Sequence, residues 1–319
     1  MIFDKRLTSR AACFIINKER KPALGTGVFA RIKKERKMLY TLKNRRAEIT
    51  INDFGAELTG VVVDGEERLW QNPDGTWNAH APLLFPVCGH FGCRVEGKDY
   101  PMPPHGFAKD SVFCVEKHTK RRLALSLVSN EETKKYYPYD FIYTVEYRLK
   151  GRKLTITHTV RNPAETPLYF ACGGHESYVL EKGLSDYKLS FPCTETFVHR
   201  PHDANGFLTG ARKTLGVGKE LIVPDNYLHD NETVILEDLR SSRVTLCRTN
   251  GDKCAEITFK GFANLLLWRP EKAQMICIEP WTNLPDAAIA RPKEFSQKSG
   301  VIKVEGLKTK RLKRTIRYY

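Results

Sequence analysis

The sequence predicts an all-β protein, a large β-sandwich with few short helices, and three observations carry that reading. Phe141, Tyr143, Val145, Tyr147 and Leu149 alternate with mostly polar residues, and Leu154, Ile156 and Val160 resume the alternation after Lys150-Gly151-Arg152. That is the period-two pattern of a hairpin with one buried face. A second pair, Val244–Cys247 and then Ala255, Ile257 and Phe259, is joined across Asn250-Gly251, residue types that accept the positive φ of a tight turn. Few windows long enough for a helix show helical spacing, so helices should be short and peripheral.

The remaining elements follow in chain order. Val61-Val62-Val63 before Asp64-Gly65 is a short strand, Val112–Val115 pairs with Leu123–Val128, and Tyr187–Phe191 adds another candidate. The terminal run Thr315–Tyr319 reads as a closing strand, with the lysines and arginines before it discouraging edge pairing. Many strands at short intervals argue for a sandwich over alternating β/α units.

A chain of 319 residues, 41% hydrophobic, can bury a sizeable core. Up to Lys37 it is basic and shows no sustained alternation, so we expect residues 1–37 to be an extension outside the fold and 38–319 to be a single domain. Lys33–Lys37 can be written entirely in purine codons, as a ribosome-binding stretch would be, which makes Met38 the expected natural start. The net charge of +15 sits at the ends: residues 1–37 carry +8 and residues 301–319 carry +6, leaving the body nearly neutral. Polyanion binding needs cations gathered on one surface, so no nucleic-acid partner is expected and these charges read as solvated surface. The nine cysteines include no CxxC pair, which indicates neither a disulfide framework nor a zinc ribbon and fits buried free thiols in a reducing cytoplasm. No stretch approaches the roughly 20 apolar residues of a membrane span, and Ala11–Ile16 is too short for a signal segment. A soluble cytoplasmic protein, monomer or homodimer, is expected.

Three residues stand where chemistry is possible. His105 lies in Pro103-Pro104-His105-Gly106, where two prolines hold the chain extended and Gly106 permits a sharp turn; its ordinary alternative is a loop-stabilising hydrogen bond. His175 follows the strand-like Leu168–Cys172 behind Gly173-Gly174, so the backbone there can approach another group closely, a ligand among the candidates. Glu279 closes the apolar run Met275–Ile278 and is held extended by Pro280. A buried acid costs free energy unless it is paired or employed. Trp281 offers a flat apolar face of the sort sugar rings stack on, although a core tryptophan is as common. His158, on the apolar face of Leu154, Ile156 and Val160, reads as a satisfied core histidine. There is no G-x-S-x-G elbow, phosphate-binding glycine loop, H-E-x-x-H or dinucleotide fingerprint.

From about Met38 onward, a series of motifs resembles the aldose 1-epimerase, or galactose mutarotase-like, family and its shorter bacterial branch. They are Gly55-Ala56-Glu57-Leu58, Leu69-Trp70-Gln71, Ala81–Pro86, His105-Gly106-Phe107-Ala108 and Ser129-Asn130-Glu131-Glu132-Thr133. Tyr137–Phe141, Gly173-Gly174-His175 and Ile278-Glu279-Pro280-Trp281 complete the series. The resemblance implies a β-supersandwich with an open sugar cleft that uses no metal and no cofactor. It implies mutarotation of an aldose, with Glu279 as base, His175 as acid and His105 hydrogen-bonding near the ring oxygen. The small-molecule partner would be an aldose or a sugar phosphate, the latter recognised by Arg94, Lys98, Lys109 and Arg269. Departures from the family pattern shape the expected binding set. His90 replaces the usual arginine, leaving Arg94 as its substitute, and Asp230, with Glu232 as the other choice, stands for the further acidic sugar-binding residue. Glu176 replaces the usual proline, an extra carboxylate expected to raise the pKa of His175.

Overall fold

A computed structural model of the chain describes residues 38–222, 228, 232–271, 273–289 and 293–319. The extension 1–37 and Asp230 lie outside them. Thirteen strands form one continuous sheet. Its order runs Glu176–Val179, Met275–Trp281, Asn264–Trp268, Val234–Glu237, Tyr187–His199, Arg243–Arg248, Lys253–Thr258, Thr309–Tyr318, Lys153–Arg161, Ile142–Lys150, Arg122–Val128, Cys114–Thr119, with Lys213–Leu221 paired to Tyr187–His199. A four-stranded meander, Leu39–Lys43, Ala47–Asn52, Leu58–Val63 and Glu66–Glu67, forms a second sheet. One cluster of buried apolar side chains extends from Leu42 to Tyr318 across both sheets. The buried Tyr147 hydroxyl ties them together by donating to the Ala56 carbonyl at 2.7 Å.

The predicted hairpins form. Lys150 pairs with Lys153 at the head of the antiparallel ladder of Ile142–Lys150 with Lys153–Arg161, and Tyr143, Val145, Tyr147, Leu149, Leu154, Ile156 and Val160 are all buried. Each such side chain contributes about 1.5–3 kcal/mol when removed from water, so a one-residue slip would turn the whole set to solvent. Arg243–Arg248 pairs with Lys253–Thr258, and Cys114–Thr119 with Arg122–Val128. The α-helical turn Glu131–Lys134 is capped by Asn130, whose side chain accepts from the Glu132 and Thr133 amides. Cys88, Cys93, Cys172, Cys247 and Cys277 are buried free thiols.

The C-terminal strand corrects the charge reading. Thr309–Tyr318 is hydrogen-bonded on both sides, to Lys153–Arg161 and to Lys253–Thr258, so its cations guard no edge. Alternation sends Arg311, Lys313 and Arg317 to solvent and carries Leu312, Arg314, Ile316 and Tyr318 inward. Arg314 is the largest of the fully buried side chains among the described residues.

Candidate active site

Three adjoining strands build the floor of the site. Glu176 pairs with Ile278 and Gly173 bridges Trp281 in the same antiparallel register, which sets His175 directly opposite Glu279. On the other side of Met275–Trp281, Leu266 faces Glu279 and Trp268 faces Cys277. Since side chains alternate across a strand, His175, Glu279, Cys277, Trp268 and Trp281 share one face and Glu176 takes the other. His175 Nε2 lies 3.3 Å from Glu279 Oε2. Glu279 is 1% and His175 9% exposed, and neither carboxylate oxygen has a hydrogen-bond partner in the protein.

His105 reaches the same place from a loop clamped to the chain at residues 85–89. Its amide donates to the Gly89 carbonyl at 3.0 Å, and the Gly89 amide donates back to His105 Nδ1 at 3.1 Å. With Nδ1 accepting, the proton of the neutral ring sits on Nε2. The turn is tighter than Gly106 alone implies, because His105 itself has φ +65° and Gly106 follows at +70°. A Cβ on Gly106 would lie 2.2 Å from the Phe85 carbonyl oxygen, so only glycine fits. The His105 ring stands edge-on to His175 at 5.7 Å and to Trp281 at 5.3 Å between centroids.

Burial sets the protonation of all three groups. It lowers His175 to about 4 and holds His105 well below the ordinary imidazole value, with the neighbouring His175, Lys109 and His90 adding to the effect. It also pushes Glu279 well above the usual carboxylate range, helped by repulsion from Glu176. Burial therefore favours the neutral forms, with one proton held by the Glu279 and His175 pair.

The two glycines before His175 make room for protein side chains. A Cβ on Gly173 would meet Trp281 Cδ1 at 2.7 Å, and one on Gly174 would meet Arg314 Cζ at 2.5 Å. The close approach read from Gly173-Gly174 is thus to Trp281 and, on the opposite face of the sheet, to Arg314. There Arg314 pairs with Glu176, both essentially without solvent contact, and its Nε donates to His158 Nε2 at 3.1 Å while Tyr143 hydrogen-bonds His158 Nδ1 at 2.8 Å. His158 is the satisfied core histidine expected. Glu176 does not raise the His175 pKa as expected: it turns away from that ring and meets a guanidinium, and its repulsion is felt by Glu279 instead.

The other predicted residues are placed differently. Arg94 lies on the Cys93–Val95 strand, where it binds Asp99 at 2.8 Å and approaches Glu294 at 3.6 Å. Trp281 is 4% exposed, packed between Gly173 and Gly89. Glu232 is exposed. His90 stacks at a tilt on Phe207, 5.1 Å between centroids. Two half-buried residues escaped the sequence reading. The Trp77 ring lies nearly parallel to His175 at 5.2 Å, and Trp268 meets it edge-on at 5.7 Å; both also pack on the apolar cluster of Trp70, Met275 and Cys277. Sparse tryptophan was the only available signal, since three of the chain's four, Trp70, Trp77 and Trp268, gather in that cluster. Among the described residues, His175, Cys277 and Glu279 form the one cluster with metal-ligand spacing.

Comparison with known proteins gives the family. The sequence model for aldose 1-epimerase matches residues 38–303. The chain belongs to the aldose 1-epimerase family. It is 28% identical over 264 residues to the chromosomal protein LacX of Lactococcus lactis subsp. lactis, spanning 77% of this chain and 88% of LacX. A galactose mutarotase-like protein from Lactobacillus casei superposes with a TM-score of 0.82 at 28% identity, over 88% of this chain and all of that one. A galactose mutarotase related enzyme from Lactobacillus acidophilus gives 0.79 at 27% identity, over 88% and 97% of the two chains. Fold class and family membership make the protein an isomerase of the sugar epimerase type. Among its described residues no helix is long and apolar enough to cross a membrane.

Proposed function

We propose that this aldose 1-epimerase family member interconverts the α and β anomers of a free aldose, with Glu279 and His175 moving the protons and His105 steadying the ring oxygen. The observation that carries the reading is the cross-strand pair itself, a carboxyl and an imidazole 3.3 Å apart beside a second imidazole whose donor nitrogen is fixed by Gly89. Anomerisation needs a base at the C1 hydroxyl and an acid at the ring oxygen. With the proton on His175, Glu279 takes the C1 hydroxyl proton while His175 protonates the ring oxygen, and the C1–ring oxygen bond breaks to give the aldehyde. Rotation about C1–C2 and the reverse transfers close the other face. The pair carries one proton throughout, so it gains and loses no charge, which suits a site that penalises charge by burial.

A free sugar is favoured over a phosphorylated one by what three of the four candidate cations do. Arg94 is spent on Asp99 and Glu294, Lys109 pairs with Asp110, and Lys98 lies over the Tyr100 ring. Polarimetry on freshly dissolved α-D-glucose and α-D-galactose tests the reading. Glu279→Gln and His175→Asn should each slow the enzyme by about 10²–10⁴-fold. No acceleration over a panel of aldoses, or full activity in Glu279→Gln, overturns it.

A further inference from the structure

We propose that the cleft is also a binding site for a thiophilic divalent cation, zinc foremost, held by His175, Cys277 and Glu279, and that the bound ion switches the enzyme off by occupying the place of the sugar's C1. Cys277 and Glu279 are two apart on one strand and so project from the same face, and the register sets His175 opposite Glu279. One ligand atom from each lies within 4.8 Å of the other two, and the imidazole nitrogen and carboxylate oxygen are 3.3 Å apart. Ligands at tetrahedral zinc, bound at about 2.0–2.3 Å, stand about 3.3–3.8 Å from one another. The three side chains therefore need only small rotations to close on an ion, leaving a fourth position open to water.

The donor set decides the kind of cation. One thiolate, one imidazole and one carboxylate suit zinc and its borderline-soft neighbours and discriminate against magnesium and calcium, which take oxygen ligands. Independent support comes from the Glu279 oxygens, which are buried without any hydrogen-bond partner and would be satisfied by a positive ion. Binding releases two protons to solvent, the Cys277 thiol proton and the one held by the Glu279 and His175 pair, and no electron is exchanged. Cys277 takes no part in the proton transfers of mutarotation, so it separates the two functions. Binding stands on geometry alone, and only the inhibition rests on the mutarotase reading.

The test is a titration of the full-length protein with zinc by calorimetry and with cobalt(II) by absorption spectroscopy. The wild type should bind one equivalent, show thiolate-to-cobalt charge-transfer absorption, and lose mutarotation with zinc in a manner competitive with sugar and reversed by EDTA. Cys277→Ser should keep the metal-free rate, lose the charge-transfer band, and bind zinc at least about tenfold more weakly. Cys277→Ala, checked by thermal melt, guards against a folding defect in the serine variant. Unchanged zinc affinity in both variants, or no stoichiometric binding by the wild type, overturns the site. A protein with the thiolate band but no mutarotation keeps the metal site and refutes the catalytic reading; an active protein indifferent to zinc does the reverse.

Discussion

Glu279 holds two buried oxygens without hydrogen bonds, and that arrangement is expensive unless the group is protonated or engaged by a ligand. Its folded pKa lies above the ordinary carboxylate value, so the native state keeps a proton that the unfolded chain releases. Stability therefore falls as pH rises from the unfolded value through the folded one. His175 works in the opposite window. Its folded value of about 4 means the unfolded chain binds the proton first, and stability falls as pH drops from about 6.5 toward 4. Catalysis needs the pair to hold one proton, so kcat/KM should trace a bell. Its acid limb should fall near about 4 and its alkaline limb well above the usual carboxylate range, both belonging to the coupled pair. Glu279→Gln, which removes the buried ionisable group, should raise the melting temperature at pH 8 by about 2–5 °C even as it slows turnover; scanning calorimetry beside polarimetry checks both.

The ladder of Glu176–Val179 with Met275–Trp281 does two things at once, because alternate residues face opposite ways. His175 is delivered to the cleft while Glu176 goes to the interior, where Arg314 of the terminal strand meets it. Removing one member of such a buried pair strands the other charge, so Arg314→Met should cost about 3–5 kcal/mol in urea unfolding. Adding Glu176→Gln should restore most of that loss. The double variant should also shift the alkaline limb of the pH profile downward, since the repulsion that raises Glu279 is gone. Hairpins were legible in the sequence at this scale because the period-two pattern of Tyr143 to Val160 is local. Arg314 was not, because an arginine among terminal cations looks like surface until the opposite strand supplies Glu176.

Across the whole molecule, His105, His175 and Glu279 come from a loop and two strands far apart in the chain, and no periodicity could have joined them. The motif resemblance did, and the antiparallel register explains why it works: Gly173 bridging Trp281 and Glu176 pairing with Ile278 set His175 opposite Glu279. What stayed hidden was tertiary. Trp77 reaches His175 from a turn stabilised by Asn72, whose side chain accepts from the Trp77 amide, and nothing in the local pattern indicates where that turn folds back. The packing of Trp77 and Trp268 against His175 makes the protein its own optical reporter. Ultraviolet emission, excited selectively at those rings, should shift in colour or intensity when an aldose displaces water beside Trp77 and Trp268, and replacing Trp77 with phenylalanine should remove much of that signal without any attached dye.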